Sequence, residues 1–597
     1  MFPLLRLSVR RPLNNYAFRA SLARYLPASD PVLPQRYAHM SPIMQTPIKK
    51  FDNKRRKQTK GGRDEKANGF DEILQPDIDK LLQKNKPEVD SPADDAPPRP
   101  TLPAPFTEIE VTVAEISSTG DGLALSENGD HVYVVPFTVP GDKVLVKVVR
   151  HFPALSYSVT DFLNVIEPGQ QRRNDLIGCK YFSQCSGCQL QMLSYEDQLA
   201  HKKRIVEKAY ANFSGLIPEL IPAIGDTFPS PLQYGYRTKL TPHFAAPGGG
   251  GRRKKEPREP VTEVPAIGFT FKNQRRDLDI EDCPLGTDII RKGLKSERKR
   301  VAENIQQYKK GATILLRETT ARIPKVASST TSTEPNATPT IPITYENTNK
   351  PAQESGDIIT LDRPTYTEEK RCVTDQRGTS VEYIDDYIFT NKAGAFFQNN
   401  NSILSGFTDY IRQNSLSPLT TGTGTDTGTD NQQSSPIKYL LDAYSGSGLF
   451  TITLSPLFKS SLGVDVAGDS ITSARENARA NSLPNTGFAA ADAAVLFKEV
   501  PYPADQTLLV IDPPRKGCSD DFLRQLLAFG PRRVVYVSCN VHTQARDVAV
   551  MVQGDDKLGL RYDIESIRGF DFFPQTGHVE GVAVLNKVAI PVAAPEL

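Results

Sequence analysis

A chain of 597 residues with 38% hydrophobic content is too long for one core, and implies roughly two to four domains. A mean hydropathy of -0.40 and the absence of any apolar run of roughly twenty residues exclude a membrane span, and a net charge of only +2 means that attraction to a nucleic acid would have to come from local patches. Seven cysteines, an odd and clustered set, do not suit a secreted disulfide framework and point to metal binding and catalysis in a reducing compartment.

Residues 1–105 read as a disordered targeting and basic segment followed by a linker. No acidic residue occurs from Met1 to Ser29, while Arg6, Arg10, Arg11, Arg19 and Arg24 alternate with Leu, Phe and Ala, the composition of a mitochondrial presequence. The run "KKFDNKRRKQTKGGR" at 49–63 sets eight basic side chains around a single Asp52, as in a nuclear-import or nucleic-acid tail. Met40 and Met44 lie between the two, so alternative starts would address products to mitochondria and to the nucleus or cytoplasm. Residues 85–105, rich in Pro and Asp, read as linker.

Residues 106–168 alternate β-branched and polar residues in short runs broken at Thr119-Gly120, Gly129-Asp130 and Pro140-Gly141, which predicts a small β-barrel. In the next stretch, 169–375, Cys179, Cys185 and Cys188 stand at C-x5-C-x2-C spacing, and Cys283 follows much later in "IEDCPL". Four thiolates suit zinc or an iron–sulfur cluster; only one C-x2-C knuckle is present, which favours a four-iron cluster. Ser194 to Asp197 is a capping-box-like helix start. Low-complexity inserts at 246–262, 325–355 and 415–436 read as surface loops that bury too little apolar surface to order themselves.

From 376 to 597 strands alternate with helical patterns, which predicts an α/β, doubly wound Rossmann-like domain beside the barrel and a central α+β domain. "YLLDAYSGSG" is an apolar strand ending at Asp442, then a turn through Tyr444, Gly446 and Gly448 that lets backbone approach a ligand; "LGVDV" ends a second strand at Asp465, placed for ribose hydroxyls. "LLVIDPPRKG" ends a third at Asp512, "VVYVSCN" a fourth at Cys539, and "HVEGVAVL" carries Glu580. These polar residues share the ligand edge of one sheet. A buried cysteine is ordinarily a small hydrophobe; Cys539 sits on the functional edge, whereas Cys372 and Cys518 lack such company and read as structural.

This run of motifs resembles the S-adenosylmethionine-dependent RNA uracil-5-methyltransferase family from about Phe106 to the carboxyl terminus, apart from the inserts. The resemblance implies an amino-terminal RNA-binding barrel of the TRAM type, and the four cysteines match the family's iron–sulfur branch. It implies that Gln398 in "FFQNN" touches the methyl donor and Phe396 contacts RNA, that Tyr444, Asp465 and Asp512 line the cofactor site, that Cys539 is the nucleophile and Glu580 the base. Three details depart from the family: Val541 stands where Pro usually follows SCN, Asp465 where Glu is frequent, and Ser445 and Leu449 where Cys and Asn are common.

The implied chemistry accounts for these residue types. Carbon 5 of uracil is a weak nucleophile until a thiolate adds at carbon 6; a base must then remove the carbon 5 proton before the thiol departs. Arg515 would favour the enolate oxygen. Phe396, Phe397, Tyr234 and Tyr236 are candidates for stacking on a flipped base and equally for the core, with Arg237 and Lys239 beside the tyrosines for phosphates. The family's usual eukaryotic target is uridine 54 of the tRNA thymine loop. The chain is expected to act as a monomer; an rRNA uridine is the alternative target, and a tRNA-binding and folding module with methylation secondary is a reading of another class.

Overall fold

The computed structural model describes residues 69–85, 102–245, 263–325, 357–416, 436–491, 496–497 and 500–589. The presequence-like and basic tracts, and the three low-complexity inserts except for a few flanking residues, lie outside the described residues. Among the described residues no helix is long and apolar enough to cross a membrane.

One correction concerns the amino-terminal region. Within the stretch read as disordered, Gly69–Lys84 is a helix. Its Leu74, Ile78 and Leu81 are buried against Leu123, Val132, Val134 and Tyr157 of the barrel, and Asp77 accepts the Ser118 N–H at 2.6 Å. The i, i+4 and i+7 spacing of these apolar residues is the helical signal; Pro76 inside the helix and the charged surroundings obscured it.

Five strands, Glu108–Ile116, Gly122–Leu125, Val132–Val135, Lys143–Phe152 and Tyr157–Glu167, close into a barrel. Alternation sets the inward face: Val144, Val146 and Val148 are buried with Val111, Val113, Ala124, Tyr133 and Val135. Closure comes from a parallel pair that joins Val132 to Tyr157.

The large sheet has eight strands in the order Thr486–Ala490, Ser460–Asp465, Tyr439–Ala443, Thr507–Ile511, Arg533–Ser538, Glu580–Ala589, Leu560–Phe570 and Gly225–Phe228. The first five are parallel and buried on both faces, as their unbroken apolar runs require. Glu580–Ala589 runs antiparallel between its two neighbours. Helices Tyr195–Phe213, Asp520–Phe529 and Val541–Gln553 cover one face. Leu404–Gln413, Leu449–Leu454 and Gly468–Ala480 cover the other. The chain starts in the middle at Tyr439, walks outward to Thr486, and returns to Thr507 on the other side. The crevice beyond the carboxyl ends of Tyr439–Ala443 and Thr507–Ile511 is therefore the topological switch point, where ligands bind in such sheets.

The 169–375 stretch is less self-contained than its linear position suggests. Helix Tyr195–Phe213 packs on the large sheet and Gly225–Phe228 is its edge strand. The remainder builds two four-stranded sheets and helix Asp288–Glu303 around Leu240, Ile290, Leu294 and Leu316. Cys372 is fully buried here; a Cβ on Gly293 would meet its sulfur at 2.4 Å, so the thiol fills space that glycine leaves.

Candidate active site at the sheet edge

Register brings the site together. Ala443 pairs with Ile511, Ile511 with Tyr536, and Ser538 with Gly581. Asp512 and Cys539 therefore follow the carboxyl ends of their strands on the same edge, and Glu580, paired with Phe570, opens the antiparallel strand opposite Cys539.

Cys539 ends its strand because helix Val541–Gln553 begins at once. Asn540 is the N-cap, its side-chain oxygen accepting the His542 N–H at 3.2 Å, and its amide donates to the Arg515 carbonyl at 3.0 Å. Thr543 donates to the same carbonyl at 3.1 Å. The "DPPRKG" loop is thus tied to the helix that starts behind the thiol. Val541 occupies the first helical position, where Pro is favoured; the family's Pro can be replaced there without loss of a functional atom. Gln544 donates to the Tyr536 and Gly581 carbonyls at 2.8 and 3.1 Å, pinning the Cys539 and Glu580 strands together from below.

The electrostatics show which groups face each other. Burial pushes the Cys539 thiol up to about 11, helped by the charges of Glu580 and Asp512 and opposed by Arg515. Burial raises Glu580 to about 7, against the pull of Arg515. Asp512 is raised well above its ordinary range, first by burial, then by Glu580 and Asp442. A thiol, two carboxyls poised to hold or accept a proton, and one guanidinium therefore share a pocket.

The same chain of interactions leads to the glycine turn. Asp442 is fully buried and raised to about 7 by desolvation, with Thr451 opposing through its N–H and hydroxyl at 2.9 and 2.6 Å and Asp465 adding to the rise. Among the described residues its other oxygen, Oδ1, has no partner, and neither has the buried Ser445 hydroxyl. Tyr444, Gly446 and Gly448 all take positive φ (66°, 55° and 95°), and a Cβ at Gly446 would meet nothing within 4 Å. Asp465 accepts the Gly446 and Ala467 N–H groups at 3.0 and 2.7 Å, which fixes the turn and leaves lone pairs for a ligand. Open space beside backbone, with orphaned acceptors around it, fits a donor-rich nucleoside cofactor.

"FFQNN" is anchored on three sides. Phe397 packs in the core cluster of Leu449 and Phe450, Asn399 holds Arg317 through its side chain at 3.2 Å and accepts the Thr238 N–H on its carbonyl, and Asn400 donates to Ser230 and the Phe572 carbonyl. Gln398 is nearly buried between them, while Phe396 projects with 78% of its surface exposed. The stacking expectation for the tyrosines is corrected: Tyr236 is core, its hydroxyl donating to the Pro574 carbonyl at 3.0 Å, and Tyr234 is half-buried with its hydroxyl against Gly178 and Gln191. Phe397 is core as well. Lys239 holds the Gly394 and Ala395 carbonyls just before Phe396. Sequence reasoning missed the scaffolding roles of Asn540 and Gln544; the N-cap preference of Asn ahead of a helical pattern was the available signal for the first.

The four predicted ligand cysteines, Cys179, Cys185, Cys188 and Cys283, meet elsewhere, along a cavity of about 90 Å³ also lined by Phe182, Leu240, Phe269 and Arg237. Among the described residues no three metal-binding side chains come together closely enough to grip an ion as they stand. Burial pushes Cys185 up to about 11, and the thiols raise one another. The Arg237 Nε at the cavity wall is buried without a partner among the described residues. A thiol-lined hole of this kind fits a thiolate-bound inorganic group.

No protein-family model matches the chain. It is 43% identical over 489 residues to the tRNA (uracil(54)-C(5))-methyltransferase of Schizosaccharomyces pombe, spanning 81% of this chain and 79% of that one. It is 41% identical over 502 residues to the enzyme of the same name from Saccharomyces cerevisiae, spanning 80% and 73%. Its fold is like that of the Pyrococcus abyssi tRNA (uracil-54, C5)-methyltransferase crystallised with S-adenosyl-L-homocysteine, at 21% identity, 80% of this chain, all of that one, and a TM-score of 0.50. By these relatives the chain belongs to the S-adenosylmethionine-dependent RNA uracil-5-methyltransferase family.

Proposed function

We propose that the protein methylates carbon 5 of uridine 54 in the tRNA thymine loop, acting as a monomer through a transient bond between Cys539 and carbon 6. The observation that carries this reading is the convergence of Cys539, Glu580, Asp512 and Arg515 beside the ligand-ready turn at Asp442 and Gly446. The large sheet is read as a Rossmann-like methyltransferase domain and the five-stranded barrel as a TRAM-like RNA-binding module.

Tyr444, Asp465, Asp512 and Gln398 would hold S-adenosylmethionine, which supplies the methyl group. Cys539 as thiolate adds to carbon 6 and makes carbon 5 nucleophilic. Its raised pKa means that the free enzyme keeps a neutral thiol, and Arg515 is the nearby charge that favours ionisation. Arg515 also stands where it can favour the enolate oxygen. Glu580, titrating near neutrality, takes the carbon 5 proton. The exposed Phe396 offers an aromatic face to an unstacked base. Cys179, Cys185, Cys188 and Cys283 would hold a [4Fe-4S] cluster as a structural staple.

The test is a thymine-arm RNA carrying 5-fluorouridine at the target position. With S-adenosylmethionine present, a denaturation-resistant conjugate through residue 539 is expected, because fluorine cannot leave as a proton does. No conjugate from protein that methylates the unmodified RNA would refute the covalent route. Methylation confined to rRNA would refute the choice of substrate.

A further inference from the structure

The loop from Asp571 to Val579, which delivers Glu580 to the site, is gripped from outside the large sheet. Gln189 and Leu190 donate their backbone N–H groups to the Gln575 carbonyl at 2.8 and 3.0 Å. Gln198 and Gln575 exchange two further bonds at 3.1 and 3.0 Å. Gln575 itself takes a φ of 72°, a strained conformation for a residue with a side chain, which persists only where surroundings over-determine it.

One side chain ties three parts of the molecule together. The Gln189 carbonyl oxygen accepts the Gly577 N–H at 3.0 Å, and its amide donates to the Thr119 carbonyl in a barrel turn at 2.7 Å. Gly577 lies so close to that turn that a Cβ on it would stand 3.2 Å from the Gly120 Cα. Gln189 also follows Cys188 directly in the chain. Among the described residues the strand and helix that hold Cys539 make none of these bonds to the Asp571–Val579 loop; Asn540 and Thr543 tie them to the Arg515 loop, and Gln544 joins them to Gly581, beyond Glu580.

We propose that Gln189 is a positioning residue for proton abstraction: it sets the loop that carries Glu580, and so governs the break-up of the covalent adduct without governing its formation. The inference rests on the Cys539–Glu580 reading above. In the step concerned, the Glu580 carboxylate takes the proton from methylated carbon 5. The electron pair left behind becomes the carbon 5–carbon 6 double bond, and the carbon 6–sulfur pair returns to Cys539 as thiolate. A small displacement of the base slows this step alone, by roughly 10- to 100-fold.

The experiment measures, in single turnovers on unmodified thymine-arm RNA with S-adenosylmethionine, the rate at which denaturation-resistant protein–RNA conjugate appears and the rate at which it decays. Gln189→Met keeps the side-chain volume and removes both bonds; Gln189→Asn keeps the amide but shortens its reach. Both are expected to form conjugate at the native rate and to lose it roughly 10- to 100-fold more slowly, with Asn the milder, and to retain native melting to within a few degrees. Glu580→Gln is the reference for a lost base. If it accumulates conjugate while both Gln189 variants release RNA at the native rate, or if they slow formation and release equally, the positioning role is wrong and the base assignment stands. If Glu580→Gln itself releases RNA at the native rate, the base assignment fails and the positioning role falls with it.

Discussion

The sheet edge and the cysteine cavity each collect reactive side chains from distant parts of the chain, by opposite means. At the edge, strand register does the work: one pairing scheme sets Asp442, Asp465, Asp512, Cys539 and Glu580 at neighbouring levels. In the cavity, the thiols sit on turns and loops between short elements, and their positions depend on what packs around them. A preorganised edge keeps its shape with or without ligand. A hole lined by four half-buried thiols that raise one another would draw order from the group proposed to fill it. One consequence is that the same atom change, removal of a single sulfur, should have different effects in the two places.

At the edge, Cys539→Ala is expected to abolish methylation, on the order of 10⁴-fold or more as for other nucleophile deletions, while the thermal midpoint moves by less than about 2 °C. In the cavity, Cys188→Ser is expected to remove about 3 kcal/mol of stability, lowering the midpoint by roughly 6–12 °C, together with the visible absorbance that the proposed cluster would give. Its turnover at low temperature should survive better than that of Cys539→Ala. Circular-dichroism melts beside single-turnover methylation decide both. Equal loss of stability in the two variants would erase the distinction between a preorganised edge and an occupant-dependent cavity.

The same contrast explains what could be read from the sequence. The edge was legible because strands announce themselves by apolar runs, and residues at strand ends inherit a common address. The barrel was legible from its alternation and its turn glycines. The helix start at Ser194 was legible from its cap: the Ser194 hydroxyl accepts the Asp197 N–H at 3.1 Å. Contacts between segments were not. Nothing local in "LAHKKRIV" says that Lys202 will be fully buried in an ion pair with Asp571, with Tyr195 donating to the same carboxylate at 3.0 Å. Tyr234 and Tyr236 stayed open between RNA and core for a related reason: an aromatic beside a basic residue has the same spelling whether it faces RNA or the core.

Asp442 gives the edge a pH signature. Its carboxyl rises from an ordinary value near 3.8 to about 7 on burial. Between those values the folded protein holds a proton that the unfolded chain has released, so stability contributed by this group falls as pH rises through the window. Asp442→Asn should therefore be about 1–2 kcal/mol more stable than the native protein at pH 7.5, well below the full shift because a buried site relaxes, with the advantage vanishing below pH 4. Denaturant melts of donor-free protein at several pH values measure it; a constant difference across the range would show that Asp442 does not carry the buried proton.

The smallest expected effect tests the tie between the Arg515 loop and the thiol. Gly517 has a φ of 77°, and a Cβ there would stand 2.5 Å from an Asp547 carboxylate oxygen and 2.6 Å from Arg546. That carboxylate cannot easily yield, because it accepts the Cys518 N–H at 2.7 Å and the Tyr536 hydroxyl at 2.6 Å. Gly517→Ala must therefore move the loop, at a cost of about 1–2 kcal/mol from the left-handed backbone alone. Arg515 opposes the rise in the Cys539 pKa. Drawing it away should shift the alkaline limb of conjugate formation to higher pH and slow formation several-fold at pH 7.5, and, because Arg515 also holds Glu580 down, move the pH limb of release upward as well. A shift in release with formation intact would show that Arg515 acts on the base alone and not on the thiol, and the edge would then divide differently between its two chemical steps.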